Sequence, residues 1–437
     1  MNYKTIFAFL PGIFFGIAAM AQAKQLTLDE AIRLSITNSK HLKVANAKID
    51  EAVASVRAAR DKQLPDLNVS GSYLRLSSAN VSLKTKSDPS APAAGSTPKV
   101  SQAMYGIANL SLPLYAGGRI KYGIESARLL EQATRLDAES DRENVMYNSV
   151  AAYVNLYKAT QAISVIQENL QASLVRDTTF SRLENNGLLA RNDLLKAQLQ
   201  TSNIELTLLD AENDLALAKI NMNLLLGLPE NQDIILDSNF VNAPVAIKNF
   251  DEYEMLALQN RKDAQANTAR VKAAAMGIRS AKAAAYPTIA LTGGYIAAHI
   301  PDLLTITNAV NVGLGIQYNL ASLWKTNTGL KQAKAREQQV VALGEMLSDD
   351  IRLNISKDYQ DYLLSQKKID VYERSYQQAL ENYRITNNKY NNSLVTITDL
   401  LDADIALLQA KLNKQFGRAD AVLAEKKLLL TAGVLSK

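Results

Sequence analysis

The second half of the chain repeats the first, and this duplication limits the fold more than any other feature of the sequence. Leu64-Pro65-Asp66-Leu67 is answered by Tyr286-Pro287-Thr288-Ile289, at an offset of 222 residues. Leu112-Pro113-Leu114-Tyr115 is answered by Tyr318-Asn319-Leu320-Ala321, at an offset of 206. The 206 offset holds again where Asn185-Asn186-Gly187-Leu188-Leu189 and Asp193-Leu194-Leu195 meet Asn391-Asn392-Ser393-Leu394-Val395 and Asp399-Leu400-Leu401. A constant offset implies two copies of one unit with no insertion between those points. The difference of 16 residues falls in copy one, where Lys84 to Lys99 is rich in Ser, Ala, Thr and Pro and reads as a polar loop.

Proline placement says what each copy is made of. No proline occurs from Leu114 to Leu228 or from Asp302 to Lys437, so both stretches can be long helices. Helices are expected over Leu28–Lys62 and Asp263–Tyr286, each ending shortly before a proline. Beyond them, Arg119–Leu183 and Lys325–Tyr390 are each long enough to reach about 100 Å as a helix. Each returns through Asn-Asn-Gly or Asn-Asn-Ser into a second long helix, Asp193–Leu226 and Asp399–Thr431. Leu401, Ile405, Leu408, Leu412, Gln415, Ala419, Val422, Lys426 and Leu429 keep a 4,3 spacing, which is a heptad seam. In copy one, Leu195, Leu199, Ser202, Leu206, Leu209, Asn213, Ala216 and Ile220 do the same.

Between the lead-in helices and the long ones lie strand candidates. They are Asp66–Leu83 and Val100–Tyr115 in copy one, Thr288–Ile300 and Ala309–Leu320 in copy two. Alternation is visible in Leu67, Val69, Gly71, Tyr73 and in Val310, Val312, Leu314, Ile316, Tyr318. Each is as long as a tilted transmembrane strand requires. The chain therefore divides into a leader (1–23), a first repeat (24–229, strand hairpin 66–115, helical hairpin 118–226), a linking equatorial segment (230–262) and a second repeat (263–437, strand hairpin 288–320, helical hairpin 325–431).

The leader carries Lys4, an apolar run from Ile6 to Met20 and two A-x-A sites, the layout of a secretory signal peptide cleaved after 21 or 23. No later segment has the uninterrupted apolar run of a spanning helix, so a membrane crossing would have to be made by strands in a barrel. The net charge of +5, or +4 without Lys4, is interspersed with acids along helices, and no nucleic-acid stripe is present. There is no cysteine and there are only two histidines, His41 and His299, in unrelated settings. Disulfides, thiol chemistry and a lipid-anchor cysteine are excluded. No catalytic constellation, cofactor or metal site is expected.

Four strands in lipid leave two edges of unsatisfied backbone groups, so the chain must associate with copies of itself. Two copies would supply eight strands and three would supply twelve, and strand arithmetic leaves both open.

At this point the sequence resembles the TolC-like outer membrane efflux protein family, over essentially the whole mature chain. The matching residues are Leu26-Thr27-Leu28-Asp29-Glu30-Ala31, Leu64-Pro65, Leu112-Pro113-Leu114-Tyr115-Ala116-Gly117-Gly118 and Leu225-Leu226-Gly227-Leu228-Pro229. The resemblance implies a mainly α chain whose antiparallel coiled-coil helices form an α-barrel. It implies that four β-strands per chain join a homotrimeric twelve-stranded outer membrane barrel in contact with lipid. It further implies a passive export duct in the outer membrane with a periplasmic extension, docked to a periplasmic adaptor and an inner membrane pump.

Asp399 and Asp402 lie three apart, on one helix face near its N-terminus. In a trimer that face gathers carboxylates around one axis, where like charges raise one another's pKa and attract cations. Thr396-x-x-Asp399 reads equally as a helix N-cap with an acid in the first turn. The resemblance assigns the segment to a constriction at the periplasmic end of the tunnel, with Tyr390 helping to hold it closed. The family's closing network has an arginine where this chain has Val395. Arg191, beside Asn192 and Asp193 in the other copy, is the candidate replacement. The turn residues Gly187, Leu188, Ser393 and Leu394 match the tips where the family meets its adaptor, although Gly187 also suits a turn that needs a positive φ. A rival class is a periplasmic coiled-coil adaptor or scaffold, which would share the leader and heptads without needing strand hairpins of membrane length. The sequence does not name the cargo, and without a His, Met or Cys cluster cations are not favoured.

Overall fold

The computed structural model describes residues 24–80, 99–242, 248–301, 303–323 and 327–436. The leader and nearly all of the polar loop expected at Lys84–Lys99 lie outside the described residues. Copy one runs through β1 (Lys24–Leu26), α1 (Leu28–Asn38), α2 (Lys40–Asp61), β2 (Asp66–Asn80), β3 (Lys99–Tyr115), α3 (Arg119–Asn185) and α4 (Arg191–Leu226). The segment between the copies holds β4 (Ile234–Leu236), a 3-10 turn at Ser238–Asn242 and α5 (Phe250–Asn260). Copy two follows with α6 (Lys262–Ala283), β5 (Thr288–Ile300), β6 (Leu304–Gln317), α7 (Thr328–Asn391) and α8 (Ile397–Thr431). The long helices α3 and α7 contain 67 and 64 residues.

The expected helix Leu28–Lys62 is interrupted at Ser39, whose ψ of 121° is extended. Asn38 explains the break. Its Nδ2 donates to the Leu226 carbonyl at 2.6 Å, capping the end of α4 where Gly227 turns with φ 70°. A Cβ at Gly227 would lie 2.7 Å from that of Asn38, so only glycine permits the approach. β6 begins five residues before the expected Ala309 because the turn after Ile300 is tight: the Leu303 N–H reaches the Ile300 carbonyl at 3.2 Å and Leu304 pairs at once with Ile300. It ends at Gln317, three residues before the expected Leu320, where Asn319 Oδ1 accepts from the Ala321 N–H and opens a 3-10 turn.

Two compact units are present, and each draws on both copies. The first gathers residues up to Ser39, Asn144–Lys248 and Asp358–Leu430. Its best-buried cluster joins Leu26, Ala31, Ala152, Tyr153, Leu156, Met222 and Leu226. The Tyr153 hydroxyl lies 2.9 and 2.8 Å from the Leu26 and Asp237 carbonyl oxygens, and so ties β1 and the end of β4 to α3. Burial pushes its pKa up to about 12. β1 and β4 pair in parallel, a two-stranded element that the sequence patterns did not indicate.

In the same unit the two heptad seams behave differently. In α8, Leu401, Ala419 and Val422 are buried, although Ile405 is 45% exposed. In α4, Leu199, Leu206 and Leu209 are 60–64% exposed, and the residues packed inside the chain are Leu194, Ala197, Thr201, Ile204 and Ala211. α4 thus carries two apolar stripes. The chain uses the smaller-residue stripe, against Phe180 and Ile166 of α3, and leaves the leucine stripe facing outward.

The second unit comprises Lys40–Glu143, Asn249–Lys357 and the residues from Thr431 onward. α3 and α6 meet through Ala133, Ala266 and Ala269, small side chains that let the backbones approach. The four long strands form one antiparallel sheet in the order β2-β3-β5-β6. Among the described residues β2 and β6 each have a partner on one side only. The register aligns Val69, Ala108, Tyr295 and Val310 in one row, and Leu67, Leu110, Gly293 and Val312 in the next. Leu112, Leu291 and Leu314 continue the same face. Among the tyrosines with strand propensity, Tyr73 and Tyr295 sit on this apolar face, whereas Tyr105, opposite Ser72, sits on the other.

Candidate functional site: the paired helix turns

The residues singled out in the sequence lie at the turns α3–α4 and α7–α8, both in the first unit. The two turns are built alike. In one, the Leu188 N–H reaches back to the Leu183 carbonyl at 2.8 Å around Gly187 at φ 75°. In the other, the Leu394 N–H reaches the Lys389 carbonyl at 2.9 Å around Ser393 at φ 59°. This is the 6→1 closure of a helix C-terminus, which needs a left-handed residue. Glycine supplies it in copy one, and serine adopts it at a cost in copy two. Leu188 and Leu394, the next residues, project with 74% and 71% exposure.

Beneath the turns Phe180, Leu194, Ala197, Ile397, Leu400 and Leu401 form one cluster, flanked by Leu183, Leu189, Tyr383 and Tyr390. The Tyr390 ring lies 5.6 Å from that of Phe180. Its hydroxyl pKa is raised, first by burial and then by the charge of Asp193. Tyr390 and Asp193, from different copies, are thus brought together. Arg191 is not part of that pair: its guanidinium is 3.5 Å from Glu184 in its own hairpin and its side chain is 66% exposed. Asp193 has Lys196 as its ion-pair partner at 3.7 Å.

Asp399 closes the start of α8. Its Oδ2 accepts from the Thr396 N–H at 2.8 Å and the Thr396 hydroxyl at 2.7 Å, while the Asp399 N–H returns a 3.3 Å bond to Thr396 Oγ1. The Thr396 hydroxyl and backbone bonds hold the Asp399 pKa below the ordinary carboxylate value. Within one chain this is opposite to the effect of crowded carboxylates. Asp402, one turn on, shares the exposed side with Asp399 and takes no part in the cap.

A third carboxylate in this stretch had no signal in the spacing. Asp404 is buried, its Oδ2 2.8 Å from Arg176 Nη1 with both side chains under 10% exposed. Asn169 donates to its other oxygen at 3.1 Å, and Arg176 Nη2 donates to Ser173 Oγ at 3.1 Å. Ser173 in turn pairs with Thr201 of α4. The charge of Asp404, with that of Arg176 acting in the opposite sense, also reaches Tyr383 of α7, whose pKa is raised chiefly by burial. One polar network therefore touches α3, α4, α7 and α8. The available sequence signal was an acid flanking the seam residue Ile405 and an arginine next to Leu174-Val175.

Two copies of helix, strand hairpin and helical hairpin, with a sheet apolar on one face and open at both edges, define the chain of a β-barrel channel protein with long helical extensions. The family model described as outer membrane efflux protein matches residues 31–228 and 255–434. Cation efflux system protein CusC of Escherichia coli K12 is 25% identical over 393 residues, covering 86% of this chain and 80% of that protein. Outer membrane efflux protein BepC of Brucella suis biovar 1 is 22% identical over 427 residues, covering 92% and 90%. The solved structure of VceC from Vibrio cholerae superposes with a TM-score of 0.76 at 20% identity, covering 93% of this chain and 96% of that one. The chain belongs to the outer membrane efflux protein family. It is an efflux channel protein of the outer membrane, with a helical part on the periplasmic side.

Proposed function

We propose that three copies of this chain close their sheets into one twelve-stranded barrel and work as the passive outer duct of a tripartite export assembly. In that assembly a periplasmic adaptor joins the duct to an energised inner membrane pump. The observation that carries the proposal is the sheet β2-β3-β5-β6, which has an apolar face and two unpaired edges. In lipid those edges must be paired, and β2 of one copy against β6 of the next does so. The exposed α4 stripe of Leu195, Leu199, Leu206 and Leu209 gives the helical part a matching surface for a neighbouring copy.

Asp399 and Asp402 are assigned to the periplasmic gate, with Tyr390 and Asp193 bracing it and Arg191 at its rim. Gly187, Leu188, Ser393 and Leu394 are assigned to adaptor docking. Support comes from the exposure of Leu188 and Leu394 at twin turns and from the exposed, same-side placement of the two aspartates. No group of three or more His, Cys, Asp or Glu suited to a metal ion is found among the described residues, and CusC's cation cargo is not carried over. Conductance of the purified protein in planar bilayers tests the gate. Asp399→Ala with Asp402→Ala is expected to enlarge single-channel conductance and weaken cation preference; unchanged values of both would refute the assignment. Replacing Gly187 by a bulky residue is expected to abolish adaptor crosslinking with the trimer intact, and a persisting crosslink would move docking elsewhere.

A further inference from the structure

The face of the sheet opposite the leucines and valines carries a row that the fold does not require. The antiparallel register sets Asn68 against Asn109, Asn109 against Gly294, and Gly294 against Asn311. Three carboxamides and one glycine therefore lie side by side across all four strands, on one face. Asparagine is disfavoured in strands, so three in one row work against the fold. Their side chains are exposed, and none makes a hydrogen bond to another protein group among the described residues. Gly294 is the saddle between two of them. A Cβ there would lie 2.8 Å from Asn311 Oδ1, 3.1 Å from the Ala108 carbonyl and 3.5 Å from Asn109 Oδ1. Any larger residue would push the flanking amides apart.

The adjoining rows on this face read Asp66, Ser111, Thr292, Gly313 on one side and Ser70, Ile107, Ile296, Ala309 on the other. Asp66, at the start of β2, is the only ionisable group in the three rows. We infer that the Asn68–Asn109–Gly294–Asn311 row is an uncharged hydrogen-bonding station in the barrel wall, which binds passing solutes through their amide groups. The inference rests on the proposed barrel, in which the apolar face meets lipid and this face meets the lumen. Barrel shear staggers the three arcs, one from each chain, around the wall.

The chemistry favours amides for a geometric reason. A carboxamide presents one acceptor and two donors, and it pairs with a second amide through N–H···O and O···H–N together. It offers no charge, so it neither repels nor traps ionic solutes. Neighbouring amides free of internal partners meet a solute without first breaking a protein hydrogen bond.

The native chain has no cysteine, so a single introduced thiol reports on the site. Ser70→Cys, one row away on the same face, is to be labelled in liposomes by a charged, membrane-impermeant methanethiosulfonate, with and without N-acetyl-triglycine amide as the probe. At a probe concentration equal to its dissociation constant the labelling rate is expected to fall about twofold. Protection should disappear when Asn68, Asn109 and Asn311 are all changed to Ala, with labelling in the absence of probe retained. No protection in the Ser70→Cys protein, or equal protection in the triple-alanine background, overturns the amide station. Val312→Cys, on the opposite face, separates this from failure of the barrel: if the charged reagent labels Val312→Cys and spares Ser70→Cys, the lumen assignment itself is wrong.

Discussion

Asp399 shows how one side chain serves structure whether or not it also serves a gate. Its carboxylate is tied to Thr396 by two accepted hydrogen bonds, and its pKa lies below the ordinary 3.8. A depressed carboxylate contributes above its unfolded pKa and loses that contribution as pH falls through the folded value. The first turn of α8 is therefore expected to fray only in acid, below about pH 4, which amide exchange at residues 397–400 would report. Thr396→Ala should cost about 1 kcal/mol of stability at neutral pH. Arg176 and Asp404 demand more. Removing one partner of a buried pair strands the other, so Asp404→Leu alone should destabilise by about 3 kcal/mol or more in denaturant titrations, whereas Arg176→Met with Asp404→Leu should recover most of the loss. Glu143 of the second unit runs the opposite way to Asp399. Burial raises its pKa from 4.5, against the bond from Ser436 and the charge of Lys262, with Glu139 and Asp263 adding to the rise. An acid whose folded pKa is raised favours the fold at low pH and penalises it as pH climbs past that value. Glu143→Gln should then raise the melting midpoint at pH 7, with the gain shrinking as pH falls into the ordinary carboxylate range.

At the level of elements, the long helices and the strand hairpins were legible because their signals are periodic and uninterrupted. Pro65, Pro113 and Pro287 punctuate the strands, and the proline-free runs hold α3, α4, α7 and α8. What escaped depended on contacts distant in sequence. The break at Ser39 is fixed by Asn38 meeting Leu226, and β1 is fixed by Ile234–Leu236. The Arg176–Asp404 pair likewise joins residues far apart in the chain. The turn at Gly187 was legible because Asn-Asn-Gly suits a positive φ, met there at 75°; Ser393 takes the same conformation, φ 59°, with no glycine to announce it. The α4 seam was visible as a heptad, but spacing alone could not say which of two stripes the chain would keep for itself. With Leu199 and Leu206 turned outward, Leu199→Glu with Leu206→Glu should dissociate the assembly while preserving helical circular dichroism. An intact assembly would place the interface elsewhere.

For the molecule as a whole, the duplicated plan gives each chain four strands, which in the proposed trimer amount to one-third of a wall. Four strands cannot close alone, and eight or twelve both satisfy the edge argument, so stoichiometry decides the architecture. Native mass spectrometry of the detergent-extracted, unmutated protein tests this most directly. The expected result is a single species with three times the mass of the mature chain; a dimer or a monomer as the sole species would contradict the twelve-stranded duct.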